Sequence, residues 1–177
     1  MMPVTNHAFL LPVCVGLLVV ATAVSSETKL DSHTEAALQA AINGDHRSAV
    51  NKARDKYRKP LETLAYFGFR SDMTVVEAWP GAGWYTEILA PALREKGKLY
   101  AAHYSVNPSY GYNGLQRRYL GTFLSKMGAY PDAFDMVQVT TLYYPYEVKT
   151  APNGVADLAL TFRNAHNWVV PGYGGEN

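Results

Sequence analysis

The sequence predicts an α/β fold in which a parallel sheet, assembled from βαβ units, follows an N-terminal helical cap. Three observations predict it. From Met73 onward, short apolar runs alternate with amphipathic segments, the texture of strands joined by crossover helices. Before Met73 the apolar spacing is helical, with capping and stop signals around each run. Between the first strand and the helix after it, Thr74-Val75-Val76-Glu77-Ala78 runs into Trp79-Pro80-Gly81-Ala82-Gly83-Trp84-Tyr85, a glycine turn at a strand's carboxyl end. Open α/β sheets gather their ligands at such ends.

In chain order, Ser32-His33-Thr34-Glu35 matches a capping box, and Ala36, Ala37, Leu38, Ala40, Ala41 and Ile42 continue it as a helix that Asn43-Gly44 stops. A second helix is expected from Asp45 to Tyr57. A third, Leu61 to Phe67, is opened by Pro60 and closed by Gly68. Strands are expected at 74–79, 98–103, 134–140 and 156–162. A helix from Trp84 to Glu95 joins the first two, with Ile88, Leu89 and Leu93 on one face, and a helix from Leu115 to Met127 is stopped by Gly128. The expected division is a signal peptide at 1–23, a helical segment at 24–70 and the sheet domain at 71–177.

The 177 residues suit one domain, and 48% hydrophobic content with 12% aromatics suffices for a packed core. A formal net charge of +1 gives no general electrostatic basis for binding nucleic acid or acidic membranes, so partners must be argued from a site. The first 26 residues carry no Lys, Arg, Asp or Glu, and Ala8 to Val24 is an apolar run interrupted by Thr22. That pattern predicts export to the periplasm or outside the cell, with cleavage after Ala23 following the small residues Ala21-Thr22-Ala23. An uncleaved membrane anchor is the alternative. Cys14 belongs to the leader, so the mature chain is expected to lack cysteine, and with it disulfides, zinc thiolates and thiol nucleophiles. No metal ligand set is read in the sequence, and no stable membrane span is expected after cleavage.

A tight turn after a strand needs residues that tolerate unusual φ and place no Cβ before a ligand, which glycine supplies. Helix-end N–H groups there favour a carboxylate or phosphate, while Glu77 can accept from a cationic or amino group. A strand-to-helix turn without a ligand is the plainer reading. As a dinucleotide fingerprint the turn fails, because it gives Gly81-x-Gly83-x-x-Thr86 and the second strand, Leu99-Tyr100-Ala101-Ala102-His103, ends without an acid. It is not a P-loop either, since no Gly-Lys-Ser/Thr follows.

An acid shortly before a glycine-rich turn resembles motif I of the class I S-adenosylmethionine-dependent methyltransferases. More narrowly, Arg54-Asp55-x-Tyr57-Arg58-x-Pro60-x-Glu62-Thr63-Leu64, Trp79-Pro80-Gly81-x-Gly83-Trp84-Tyr85-Thr86-Glu87 and Leu160-Thr161-Phe162-Arg163-Asn164-x-His166-Asn167-Trp168 resemble a family of exported, predicted methyltransferases from bacteria, over residues of about 47–170. The resemblance implies a Rossmann-like class I methyltransferase core, here partial, with about four parallel strands in the order 3-2-1-4. It implies S-adenosylmethionine as cofactor, with Glu77 near the methionine amino group and Gly81 and Gly83 admitting the backbone to the ligand. Pro80, Trp84 and Tyr85 belong to the same cofactor-binding block. His103 stands where the wider class places a ribose-binding acid, and a neutral imidazole can donate or accept one hydrogen bond there. Trp79 stands at the first glycine of the class pattern.

Arg163, Asn164, His166 and Asn167 follow the last expected strand on the same carboxyl edge, where a methyl acceptor would lie. Histidine suits proton removal near neutral pH and asparagine suits orienting an acceptor, so His166, Asn164 and Arg163 are the catalytic candidates. Satisfying loop backbone is the alternative, an equal one for His166. Tyr104, Tyr110, Tyr112 and Tyr119, with Arg117 and Arg118, either stack on an adenine or cover the sheet edge. The Arg54 to Glu62 block either braces the cap over the site or carries solvated pairs.

The expected function is methyl transfer by in-line attack of a small-molecule or envelope acceptor. A non-catalytic small-ligand module and an envelope interaction protein are its rivals. The wider class has seven strands, so the resemblance implies missing elements and an exposed edge at the fourth strand. Marginal stability or self-association through that edge, with weak catalysis, is the corresponding expectation.

Overall fold

A computed structural model describes residues 29–107, 109 and 114–168. The expected leader 1–23 with Cys14, the tyrosines Tyr110 and Tyr112, and the turn-rich stretch 171–177 lie outside the described residues. The described chain is α/β, with a five-stranded, mostly parallel sheet and helices.

Four helices come first: α1 (Ser32–Asn43), α2 (Ala49–Lys52), α3 (Asp55–Arg58) and α4 (Pro60–Tyr66). The sheet then alternates with helices as β1 (Thr74–Ala78), α5 (Thr86–Leu93), β2 (Lys98–His103), α6 (Gly114–Ala129), α7 (Pro131–Phe134), β3 (Gln138–Tyr143), β4 (Glu147–Lys149), β5 (Leu158–Leu160) and α8 (Ala165–Trp168). Spatial order is β4-β3-β2-β1-β5. β1, β2, β3 and β5 run parallel, and β4 returns antiparallel beside β3. Register places Val75 between Leu99 and Leu158, and Glu77 between Ala101 and Leu160.

The alternation of β1 explains the two sides of the sheet. Val75 and Leu99 join the main core with Leu38, Leu64, Ile88, Leu89, Leu93 and Phe134, drawn from α1, α4, α5 and α7. Val76, Tyr100 and Ala102 form a smaller cluster on the other face, against Leu142 and Ala151. Each fully buried large aliphatic or aromatic side chain contributes about 1.5–3 kcal/mol, so the α1–α5 layer on the first face carries most of the apolar stabilisation.

Several expectations are corrected. The sheet has five strands, not four, and β4 lies beyond β3: Glu147-Val148-Lys149 is too short to show a period in sequence and pairs only as the return arm of a hairpin around Tyr144-Pro145. The third strand is 138–143 rather than 134–140, because Pro131 opens α7 and buries Phe134 as a helical residue, leaving Thr140, Thr141 and Tyr143 for the strand. The first strand ends at Ala78, since Trp79 turns left-handed (φ 53) before Pro80, and the last spans only 158–160. The helix expected from Asp45 to Tyr57 is two short pieces: Ser48 caps α2 through its side chain, and Lys59 at φ 41 ends α3 before Pro60. α1 is capped by Asp31, whose carboxylate accepts from Thr34 N–H at 2.9 Å, and Ser32 is already helical. Helix α5 is narrower than Trp84 to Glu95, while α6 runs through Gly128 to Ala129.

Contacts from His46, Arg47 and Asn51 tie the cap to α5 at Glu87. Pro91 within α5 has no N–H to offer Glu87, four residues back, and the His46 Nε2–H donates to that carbonyl instead at 2.7 Å. Arg47, its side chain fully buried, donates through both terminal nitrogens to Asp55 at 2.8 Å and lies with Nε 3.4 Å from Glu87 Oε2. That last pair is near enough for ion pairing but misaligned for a hydrogen bond. Glu87 Oε1 accepts from Asn51 Nδ2 at 2.8 Å and Lys126 Nζ at 2.6 Å, so α2, α5 and α6 meet on one carboxylate.

Candidate functional site

The glycine turn follows β1 because its backbone needs it. Gly81 and Gly83 sit at φ 62 and 80, a region most side chains avoid. Gly83 N–H donates to the Pro80 carbonyl at 3.0 Å, and Glu87 N–H donates to the Gly83 carbonyl at 3.1 Å, which feeds the turn into α5. Lys126 Nζ donates to the Ala82 carbonyl at 2.7 Å and holds the turn from α6. The two glycines differ in purpose. A Cβ on Gly83 would meet the Phe123 ring at 2.9 Å, whereas a Cβ on Gly81 would meet no atom within 4 Å.

Trp79 holds its left-handed backbone through four contacts. Its N–H extends the ladder to the Ala102 carbonyl at 2.9 Å, and its Nε1–H reaches over to the Leu142 carbonyl at 2.7 Å. Its ring lies 4.9 Å from Tyr104 and 5.8 Å from Trp168. After β5, Thr161 Oγ1 and Asn164 Nδ2 donate to the Ala78 carbonyl at 3.0 and 3.3 Å, and Asn164 Nδ2 also donates to the Trp79 carbonyl at 3.0 Å. Arg163, at φ 64, is the second non-glycine residue of the site in the left-handed region. Such conformations persist where their surroundings over-determine them, and they gather at functional sites.

Together these segments wall a cavity of about 360 Å³ beyond the carboxyl ends of β1 and β5. Glu77, Pro80, Gly81, Trp84, Tyr85, Arg163, Asn164 and His166 line it, so eight sequence-predicted residues converge. Gly83 and His103 do not line it. Gly83 packs under α6, and His103 is a buried brace: its Nδ1 accepts from Tyr104 N–H at 2.9 Å and its Nε2–H donates to the Gly81 carbonyl at 2.8 Å. Burial pushes its pKa down to about 4, so the ring is neutral near pH 7.

Glu77 is the buried acid of the cavity. Thr86 Oγ1, in the first turn of α5, donates to its Oε2 at 2.6 Å. Burial pushes its pKa up to about 7, against the lowering effect of the Thr86 hydroxyl and the Lys126 charge. Tyr85 stacks on Phe162 at 3.4 Å and 13°, with its phenol pKa raised by burial. His166 is exposed on the cavity rim, and the Asn164 amide nitrogen is committed to backbone and to Thr161 Oγ1 at 3.0 Å. No protein-family model, curated protein or solved structure matches this chain.

Asn51, Arg54, Arg58 and Phe162 also line the cavity and were not among the expected binding or catalytic residues. The signal for the two arginines lay in the Arg54–Glu62 block, whose charges read more readily as solvated or structural pairs; Phe162 lay in the Leu160–Trp168 block without an assigned role, and Asn51 in neither. A larger groove, about 670 Å³, lies between α1, the end of α5 and α7. Alanines dominate it, and its two histidines are occupied, His46 with the Glu87 carbonyl and His33 with Ser71 Oγ at 2.9 Å. The chemistry-bearing groups converge on the smaller cavity.

Proposed function

We propose that this protein is an exported, Rossmann-like S-adenosylmethionine-dependent methyltransferase acting on a small acceptor of the cell envelope. The observation that carries the reading is a buried carboxyl, Glu77, facing the same cavity as the Cβ-free Gly81 turn at the carboxyl end of β1. The cavity volume falls within the roughly 300–1,000 Å³ usual for small-molecule sites. These residues fit the cofactor: Glu77 matches its ammonium, and Gly81 allows close approach of backbone. When bound, S-adenosylmethionine supplies an electrophilic methyl group. The chain's own part is positioning. Asn164 and Thr161 fix the acceptor loop against the end of β1, Tyr85 and Phe162 close one wall, and His166 on the rim takes the acceptor's proton.

Because a cation favours ionised Glu77, affinity for S-adenosylhomocysteine should rise with pH and level off above about 7. Calorimetry at pH 6 and 8 measures this, and Glu77→Gln should weaken binding at least tenfold. Absence of binding at both pH values overturns the proposal. One observation favours a non-catalytic binding module: with His103 and the Asn164 amide committed, His166 is the single histidine on the cavity wall. Binding without transfer of labelled methyl to envelope extracts would support it. Self-association through the outer edge of β5, which pairs only with β1 among the described residues, belongs to the same proposal. Sedimentation velocity should show a concentration-dependent dimer that Ala159→Pro abolishes.

A further inference from the structure

We infer that the arginine end of this cavity holds an anion, so that the methyl acceptor carries a phosphate or carboxylate group. The inference rests on the proposed methyltransferase reading and names its substrate class. Arg54 and Arg58 arrive from the cap and Arg163 from the loop after β5, and all three line the cavity. Among the described residues no carboxylate lies within ion-pair distance of any of the three, whereas Arg47, Arg70 and Arg94 each have an acid partner. Asp55 of α3, beside Arg54 in sequence, has both oxygens on Arg47 at 2.8 Å. Burial pushes the pKa of Glu77, the cavity's acid, up to about 7.

Arg58 is held in place rather than waving in solvent. Its Cζ lies 4.4 Å from the Trp84 ring centroid and 5.8 Å from that of Tyr85. Its guanidinium pKa is lowered by burial first, then by the charges of Arg54 and Arg163. Three like charges gathered on one cavity wall, with Arg58 half-buried, repel one another, and a bound anion turns that repulsion into attraction. Arginine forks match the oxygens of phosphate and carboxylate in pairs.

The anion could instead be the cofactor's own carboxylate, and the experiment separates the two sources. Inorganic phosphate is titrated into the full chain, free and saturated with S-adenosylhomocysteine, followed by calorimetry. Expected is binding in both states that weakens with added salt and falls at least tenfold in Arg58→Gln and in Arg163→Gln. Arg163 is exposed, so the second variant keeps the fold even where the first is compromised; an unchanged melting temperature verifies this. No phosphate binding, or binding indifferent to Arg163→Gln, overturns the inference. So does competition between phosphate and S-adenosylhomocysteine with no effect of the variants on 5′-methylthioadenosine, which assigns the arginines to the cofactor carboxylate. Phosphate binding with no S-adenosylhomocysteine binding instead removes the methyltransferase reading and leaves the anion site standing.

Discussion

Pro91 shows how one residue in this chain obliges another, 45 positions away, to compensate. A proline inside a helix removes the donor that the carbonyl four residues back requires, and a carbonyl left bare in a packed interior costs about 1–3 kcal/mol. Glu87 supplies that carbonyl, and the His46 Nε2–H meets it at 2.7 Å. The His46 ring also packs edge-on against Phe134 at 5.7 Å, which orients the nitrogen. His46→Ala should therefore destabilise the protein by about 1–3 kcal/mol. Pro91→Ala returns the helical N–H and should recover a good part of that loss in the His46→Ala background, while gaining little in the parent. Urea unfolding of the four proteins of this cycle measures the coupling, and additive effects would rule the compensation out.

At the scale of elements, the turn between β1 and α5 divides its two glycines between cavity wall and packing. Gly81→Ala places a methyl where no protein atom lies within 4 Å, so its stability cost is that of the left-handed backbone, about 1–2 kcal/mol. Gly83→Ala adds an overlap with Phe123, itself locked against the His103 ring at 5.0 Å, and should cost about 3 kcal/mol or more. Ligand affinity should rank the other way, with Gly81→Ala weakening S-adenosylhomocysteine strongly and Gly83→Ala weakening it only through stability. The turn was legible in sequence because glycine after an apolar strand has few other uses. The α/β class was legible because β1 and β2 are short apolar runs and α5 carries Ile88, Leu89 and Leu93 at helical spacing, signals local to their own segments. What was not legible depends on contacts between distant segments. Nothing local distinguishes Gly83 from Gly81, marks His103 as a brace, or separates Arg58 on its tryptophan from an ordinary solvated arginine. The strand at 147–149 escaped because three residues show no period, and nothing local in the sequence marks the break between α2 and α3.

Across the whole molecule, the two most perturbed groups, both beside the glycine turn, oppose each other in their effect on stability. Glu77 rises from an ordinary 4.5 to about 7, so between those values the folded chain holds a proton that the unfolded chain has lost, and stability falls as pH rises. His103 drops from an ordinary 6.5 to about 4, so there the unfolded chain holds the extra proton, and stability rises with pH. From pH 4.5 to 6.5 each state therefore carries one proton across the pair, and the two slopes cancel. Above pH 6.5 only the Glu77 contribution remains, and stability declines until Glu77 is ionised. Asp31 and Asp135, both lowered by hydrogen bonds from their partners, Thr34 and Arg94, lose their contributions only in more acid solution. Glu77→Gln removes one side of the balance. Its unfolding free energy should then climb by about 1.4 kcal/mol per pH unit through the middle of that window, where the parent stays nearly flat. At pH 8 the same variant should be more stable than the parent, by an amount on the order of 3 kcal/mol at full ionisation, while losing ligand affinity, the trade expected of a strained binding group. Urea titrations at half-unit pH steps measure both curves. A parent that climbs as steeply as the variant would mean that Glu77 ionises freely in the folded protein, and would remove the buried acid from the site.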